Sequence, residues 1–171
     1  LNKQVCIASF LLFFSSCSNT DTKKGIPFIL EIPEGLPQPT IPEDNPITAP
    51  KVALGKALFF DPIVSRDFDL SCASCHLPNF AFSDTVAFSV GTENKLGDRN
   101  SPSLLNSAYK PYLFKDGGIK SLELQIFAPL DHVAELNLAY SVLEQRLQNH
   151  PHYPKLFEEV FGRKPDMYGF I

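Results

Sequence analysis

Five consecutive residues, Cys72-Ala73-Ser74-Cys75-His76, constrain this chain more than anything else in it. Two intervening residues put both thiols on one side of a helical turn, and the imidazole that follows is carried beside them. In this pattern the thiols bond the two vinyl groups of a haem, and the histidine gives the iron an axial nitrogen. Two other chemistries use a CxxC pair. A zinc half-site needs a second pair of ligands, and the only other histidines are His132, His150 and His152. A thioredoxin-like redox pair belongs to a strand–helix–strand pattern, which is not visible here. One covalent haem c on Cys72, Cys75 and His76 is therefore the expected cofactor.

At 171 residues, with 44% apolar and 20% charged residues, the chain has the size and composition of one globular unit. Its net charge of -4 and the lack of any Lys/Arg cluster argue against a nucleic-acid partner. The apolar run from Val5 to Phe14, followed by Ser15-Ser16-Cys17-Ser18, is too short to cross a bilayer. Residues 1–16 read as an export signal of the lipoprotein type, with Cys17 as the acylated first residue, although Phe14 stands where such signals more often have Leu. The competing reading is a buried N-terminal helix with two chance cysteines. Residues 17–49 hold Pro27, Pro33, Pro37, Pro39, Pro42 and Pro46, which block a regular helix. They form a Pro-rich tether from the membrane or a strap along the domain. The expected location is the periplasmic or outer surface side of a bacterial membrane, through the lipid on Cys17.

Residues 50–171 are expected to form the haem domain, a mainly α, cytochrome c-like arrangement of short helices and long loops. Helices are predicted over Pro50 to Phe60, through the Cys72 to His76 turn, and over Ser103 to Tyr109 behind a Ser101-Pro102 start. Further ones are predicted over Leu122 to Ala128, stopped by Pro129, over Asn137 to Asn149, and over Pro154 to Phe161 with Gly162 as its cap. The stretch from Asn79 to Asn100 is a long loop, as expected where a chain wraps a ligand.

The use of such a haem depends on its sixth coordination position. An electron carrier fills it with Met or His, and the sole methionine, Met167, stands four residues from the end. A peroxidase leaves it open beneath an acid–base group. The sequence favours the open site.

Beyond the pentapeptide, the chain resembles the N-terminal, peroxidatic half of bacterial di-haem cytochrome c peroxidases and their relatives that oxidise side chains on a partner protein. The resemblance is carried in order by Leu54-Gly55-Lys56-Ala57-Leu58-Phe59-Phe60-Asp61-Pro62, Ser71 to Pro78, Ala81-Phe82-Ser83-Asp84, Arg99 to Asn106, Asp116-Gly117 and Ser121-Leu122-Glu123-Leu124-Gln125. It covers about Pro50 to Gly162. It implies that His76 is the proximal ligand, that Gln125 and Glu135 stand on the open face as catalytic residues, and that Asn100 gives an oxygen to a calcium between the haems. It also implies hydrogen peroxide as substrate and a small redox protein as electron donor. The loop histidine that caps the iron in many members falls at Thr92, which implies a haem left five-coordinate without prior reduction.

Several positions depart from the pattern. The tryptophan between the two haems is replaced by Lys115, the arginine after Asp116-Gly117 by Gly118, and the methionine after Glu135 by Leu136. No second CxxCH stands in the sequence, so the family's second haem domain is absent and a separate partner would have to supply it. The expected activity is haem c-dependent reduction of hydrogen peroxide with electrons from outside. The alternatives are a single-haem electron-transfer cytochrome c and an inactive truncated remnant.

Overall fold

The computed structural model describes residues 25–114 and 116–170. The expected export signal, Cys17 and Lys115 lie outside these. The architecture is mainly α-helical, as expected. Among the described residues, seven helices and four short 3-10 turns are connected by long loops, with isolated β-bridges but no strand.

Helix α1 (Ala49–Phe60) begins at Thr48, whose hydroxyl accepts the Lys51 N–H at 3.4 Å, and has Pro50 in its first turn. Leu54 and Leu58, one turn apart, form its buried stripe. Asp61 ends α1 and at once accepts the Ile63 N–H at 2.8 Å, starting a 3-10 turn whose Ile63 and Val64 are buried. Helix α5 (Tyr140–Asn149) adds Leu143 and Leu147 to the core, and α6 (Tyr153–Phe161) adds Tyr153 and the wholly enclosed Phe157. Helix α6 touches both α1 and α5. Its end follows from Gly162, whose φ of +67° suits a residue without a Cβ and whose N–H donates to the Glu158 carbonyl. Leu130, Leu136 and Leu138 close the same core from the other side.

Three predicted helices differ from those observed. Ser103 to Tyr109 is helical only as a 3-10 turn over Ser107–Tyr109. Asn106 sits at φ +59°, and the Ser103 hydroxyl accepts the Leu105 N–H while donating to the Ala81 carbonyl, so side-chain bonds displace the helical ladder. Pro129 does not stop the segment from Leu122. The chain kinks at Ile126 between α3 (Leu122–Gln125) and α4 (Phe127–Asp131), and Pro129 lies in the first turn of α4, where its missing N–H is not needed. Helix α5 starts at Tyr140, because Asn137 adopts φ +48° and Leu138 gives its N–H to the Leu130 carbonyl at 2.7 Å. The short helix α7 (Met167–Phe170) has no counterpart in the sequence reading.

Residues 25–48 run beside this core. Their ends meet at the Pro27–Thr48 bridge, the Tyr109 hydroxyl donates to the Pro37 carbonyl at 3.0 Å, and the Asn45 amide reaches Glu123 at 3.5 Å.

Candidate functional site

Helix α2 (Cys72–Cys75) is one turn long, and the Ser71 N–H ahead of it donates to the Ser74 hydroxyl at 3.0 Å. It rests against α1. Cys72 and Cys75, three residues apart, thereby share a face, and the His76 N–H returns to the Cys72 carbonyl at 2.9 Å. Two consecutive left-handed residues, Ala81 and Phe82, both at φ +56°, then turn the chain back so that Leu77 and Ser83 pair. A bulky residue in that region is strained, and such strain collects at functional positions. Its effect here is to bring the Phe82 carbonyl within 2.9 Å of His76 Nδ1. With Nδ1–H donating to that carbonyl, the Nε2 lone pair faces outward, which is the tautomer and orientation of a metal-ligating imidazole.

Cys72, Cys75 and His76 line one open cleft, together with Leu70, Pro129 and Leu136. Burial pushes the Cys72 thiol up to about 11 and raises that of Cys75 as well. Redox-active cysteines need the opposite shift, toward thiolate. Nor do the described residues hold a group of three His, Cys, Asp or Glu placed around a metal ion. Two neutral thiols on one face, an imidazole with its outer nitrogen available and a cleft beside them fit a covalently held haem.

Glu135 lines the same cleft, on the loop after α4. Its main chain is fully engaged. The Glu135 N–H donates to the His132 carbonyl at 2.9 Å, and the Glu135 carbonyl accepts from the Thr92 N–H at 2.9 Å and from the Thr92 hydroxyl at 2.7 Å. The next residue, Leu136, gives its N–H to Pro129 and takes that of Arg66 at 2.9 Å. Burial raises the Glu135 carboxyl above the usual carboxylate range, against the opposing pull of His132 and then of His76. His132 stands 3.7 Å from the Glu135 carboxylate and 3.6 Å from that of Asp98, which is well exposed. The site thus has an acid–base group of raised pKa facing the cleft and a row of ionisable groups from it to the surface.

The other expected site residues are placed differently. Gln125, at the end of α3, does not line the cleft with Glu135, but its side-chain oxygen is buried with no hydrogen-bond partner. Asn100 is exposed and donates from its amide to the Val86 carbonyl at 2.6 Å. Met167 lies beside Phe127 and Tyr140 at a separate small pocket, so it does not face the cleft. Sequence reading had assigned no role to Phe82, and had seen at Thr92 only a missing histidine. Phe82 acts through its own main-chain carbonyl on the His76 ring, and Thr92 through its hydroxyl on the main-chain carbonyl of Glu135, 43 residues away, so neither role is signalled by residue type alone. Arg99 also lines the cleft, and its guanidinium pairs with Asp116 at 3.0 Å.

The model of the di-haem cytochrome c peroxidase family matches residues 49–170. Methylamine utilization protein MauG of Methylorubrum extorquens is 41% identical over 130 residues, covering 76% of this chain and 36% of that protein. Cytochrome-c peroxidase IdrP1 of Pseudomonas sp. (strain SCT) is 42% identical over 127 residues, covering 74% and 34%. Among solved structures, a MauG-like protein associated with microbial copper homeostasis superposes with a TM-score of 0.77 at 28% identity, over 84% of this chain and 43% of its own. The chain therefore spans little more than a third of the length of these curated relatives.

Proposed function

Since the chain belongs to the di-haem cytochrome c peroxidase family, we propose that it is the peroxidatic domain of such an enzyme, reducing hydrogen peroxide at one haem c held by Cys72, Cys75 and His76. The observation that carries this reading is Glu135, a carboxyl of raised pKa on a residue that lines the same cleft as Cys72, Cys75 and His76. The haem iron supplies the peroxide-binding and redox centre when bound. Phe82, through its carbonyl, holds Nδ1 of His76 and leaves Nε2 available, so His76 would be the residue to ligate the haem iron. Glu135 takes the proton from one peroxide oxygen and returns it to the other, so that the oxygen–oxygen bond breaks with water as the leaving group. The complete reaction converts one peroxide, two protons and two electrons into two waters. The electrons come from a small redox protein, and a separate second-haem domain would serve as the intermediate store. Gln125, whose buried side-chain oxygen is unpartnered, is proposed as the second residue of the peroxide site on the family resemblance. Asn100 as a calcium ligand, the lipid anchor on Cys17 and the location outside the cytoplasm belong to the same proposal.

The test is stopped-flow mixing of oxidised holoprotein with peroxide, following the haem band in wild type and Glu135→Gln. General acid–base groups contribute about 10²–10⁴-fold, so a fall in that range is expected, with matching resting spectra. Equal rates would remove Glu135 from the mechanism. A wild type that does not react would show that this domain needs the second haem.

A further inference from the structure

We propose that Thr92 is the positioning residue for Glu135, acting through its hydroxyl on the Glu135 carbonyl. This rests on the acid–base role proposed for Glu135. The side chain of Thr92 is entirely buried, so it makes no contact with solvent and none is needed to explain its polarity. Its Oγ1–H donates to the Glu135 carbonyl at 2.7 Å, and its own N–H donates to the same oxygen at 2.9 Å. Both lone pairs of one carbonyl are thus taken by one residue, 43 positions away in sequence. Two donors from different directions fix the peptide plane, and with it the direction in which the Glu135 side chain leaves the backbone.

The surroundings leave little room for slippage. At Gly91 a Cβ would stand 2.0 Å from the Ala134 carbonyl oxygen and 2.8 Å from the Glu135 Cα, so only glycine permits the two main chains to lie this close. The turn that carries Thr92 is closed on itself, with the Gly91 N–H on the Lys95 carbonyl at 2.8 Å and the Gly97 N–H on the Ser89 carbonyl at 2.9 Å. Arg66 joins both sides. Its guanidinium pairs with Glu93 at 3.0 Å, and its N–H holds the Leu136 carbonyl. The 89–97 turn and the Glu135 loop therefore move as one body, with the Thr92 hydroxyl as the bond nearest the acid–base group.

A residue that only stabilises the fold would change rates regardless of what stands at 135. A positioning residue acts only through a functional carboxylate. The test compares ferric holoprotein of wild type, Thr92→Val, Thr92→Ser, Glu135→Gln and the Thr92→Val/Glu135→Gln double variant. Valine keeps the branched shape and the N–H bond, so the carbonyl stays paired. Two rates are read: reaction with peroxide, and binding of cyanide, which must surrender a proton as hydrogen cyanide before it ligates iron and so reports the acid–base group without turnover. A misplacement of about 1 Å can cost about 10²-fold, so Thr92→Val should slow both rates by about 10–100-fold. Thr92→Ser should stay close to wild type, and the double variant should be no slower than Glu135→Gln alone.

Wild-type rates in Thr92→Val beside a slow Glu135→Gln would overturn the proposal while leaving the role of Glu135 standing. A double variant slower than Glu135→Gln by the full Thr92→Val factor would also overturn it. Wild-type rates in Glu135→Gln would instead bring down the acid–base reading itself. Should Thr92→Val not accumulate as holoprotein, Thr92→Ala and Thr92→Ser give the same contrast, and equal rates in those two would overturn the proposal.

Discussion

Arg146 on α5 holds the segment that leads into the haem turn, and its replacement should cost a large part of the stability of the fold. Its guanidinium donates to the carbonyls of Ile63 at 3.2 Å, Ser65 at 2.6 Å and Arg66 at 2.7 Å, and it lies 3.8 Å over the ring of Phe68. Arg146→Met keeps the stem and removes all three donors. The Arg66 carbonyl belongs to a half-exposed residue and can turn to water, the Ser65 carbonyl keeps the Phe68 N–H at 3.4 Å, and the buried Ile63 carbonyl is left unpaired. The unpaired buried group costs about 1–3 kcal/mol, and the bond lost at Ser65 about 0.5–1.5 kcal/mol. The lost cation–ring contact on the exposed Phe68 adds about 0.5–1 kcal/mol. The total is about 2–5.5 kcal/mol, against a usual stability of about 5–15 kcal/mol. With a urea slope of about 2 kcal/mol/M, the unfolding midpoint should fall by about 1–3 M. The assay is urea unfolding of the holoprotein, followed by far-ultraviolet circular dichroism and by the haem band. Arg146→Lys should recover only part of the loss, because a single ammonium lacks the planar fork that meets separate carbonyls. A midpoint in Arg146→Met within about 0.5 M of wild type, about 1 kcal/mol at that slope, would refute this reasoning.

Two further outcomes are expected. Tyr153 is buried on α6 and donates its hydroxyl to Asp61 at 2.7 Å, so Tyr153→Phe should lower stability by about 1.5–3 kcal/mol, the range for bonds to a charged group, as read by the same urea titration. Burial raises the Glu135 carboxyl in the folded protein above its usual 4.5, so the folded state keeps this proton to higher pH than the unfolded chain. Wild-type stability should therefore decline, relative to Glu135→Gln, as pH rises from the ordinary carboxylate range through the raised folded value, and paired unfolding curves across that window check the sign.

Where a helix is decided by its own ends, it could be read from the sequence. Helix α6 has Pro154 in its first turn and Gly162 at its close, and the four residues that bury α1 and α5 recur at the spacing of one turn. Where tertiary contacts compete with local propensity, it could not. Asn137 and Asn106 take left-handed backbone that no periodicity announces, and Pro129 is a stop signal only until the kink at Ile126 moves it into a first turn. The 3-10 turn at Ser107–Tyr109 is short because Ser103 is drawn to Ala81, 22 residues earlier in the chain.

The same division runs through the candidate site. Thioether attachment requires two thiols and an imidazole within five residues, so covalent geometry forces a contiguous motif, and Cys72, Cys75 and His76 were legible at once. An acid–base group has no such requirement; Glu135 alone is one carboxylate among many, and only the ordered motifs around it singled it out. The bonds to both groups are less visible still, because the acceptor in each, the Phe82 carbonyl for His76 and the Glu135 carbonyl for Thr92, is an atom every residue possesses. The turn at 81–82 bonds the imidazole through the Phe82 carbonyl, and the turn at 89–97 bonds the Glu135 loop through Thr92. Both turns belong to the long loop from Asn79 to Asn100, so one extended segment reaches both the residue proposed to ligate iron and the residue proposed to move the proton, which no local pattern in either turn announces.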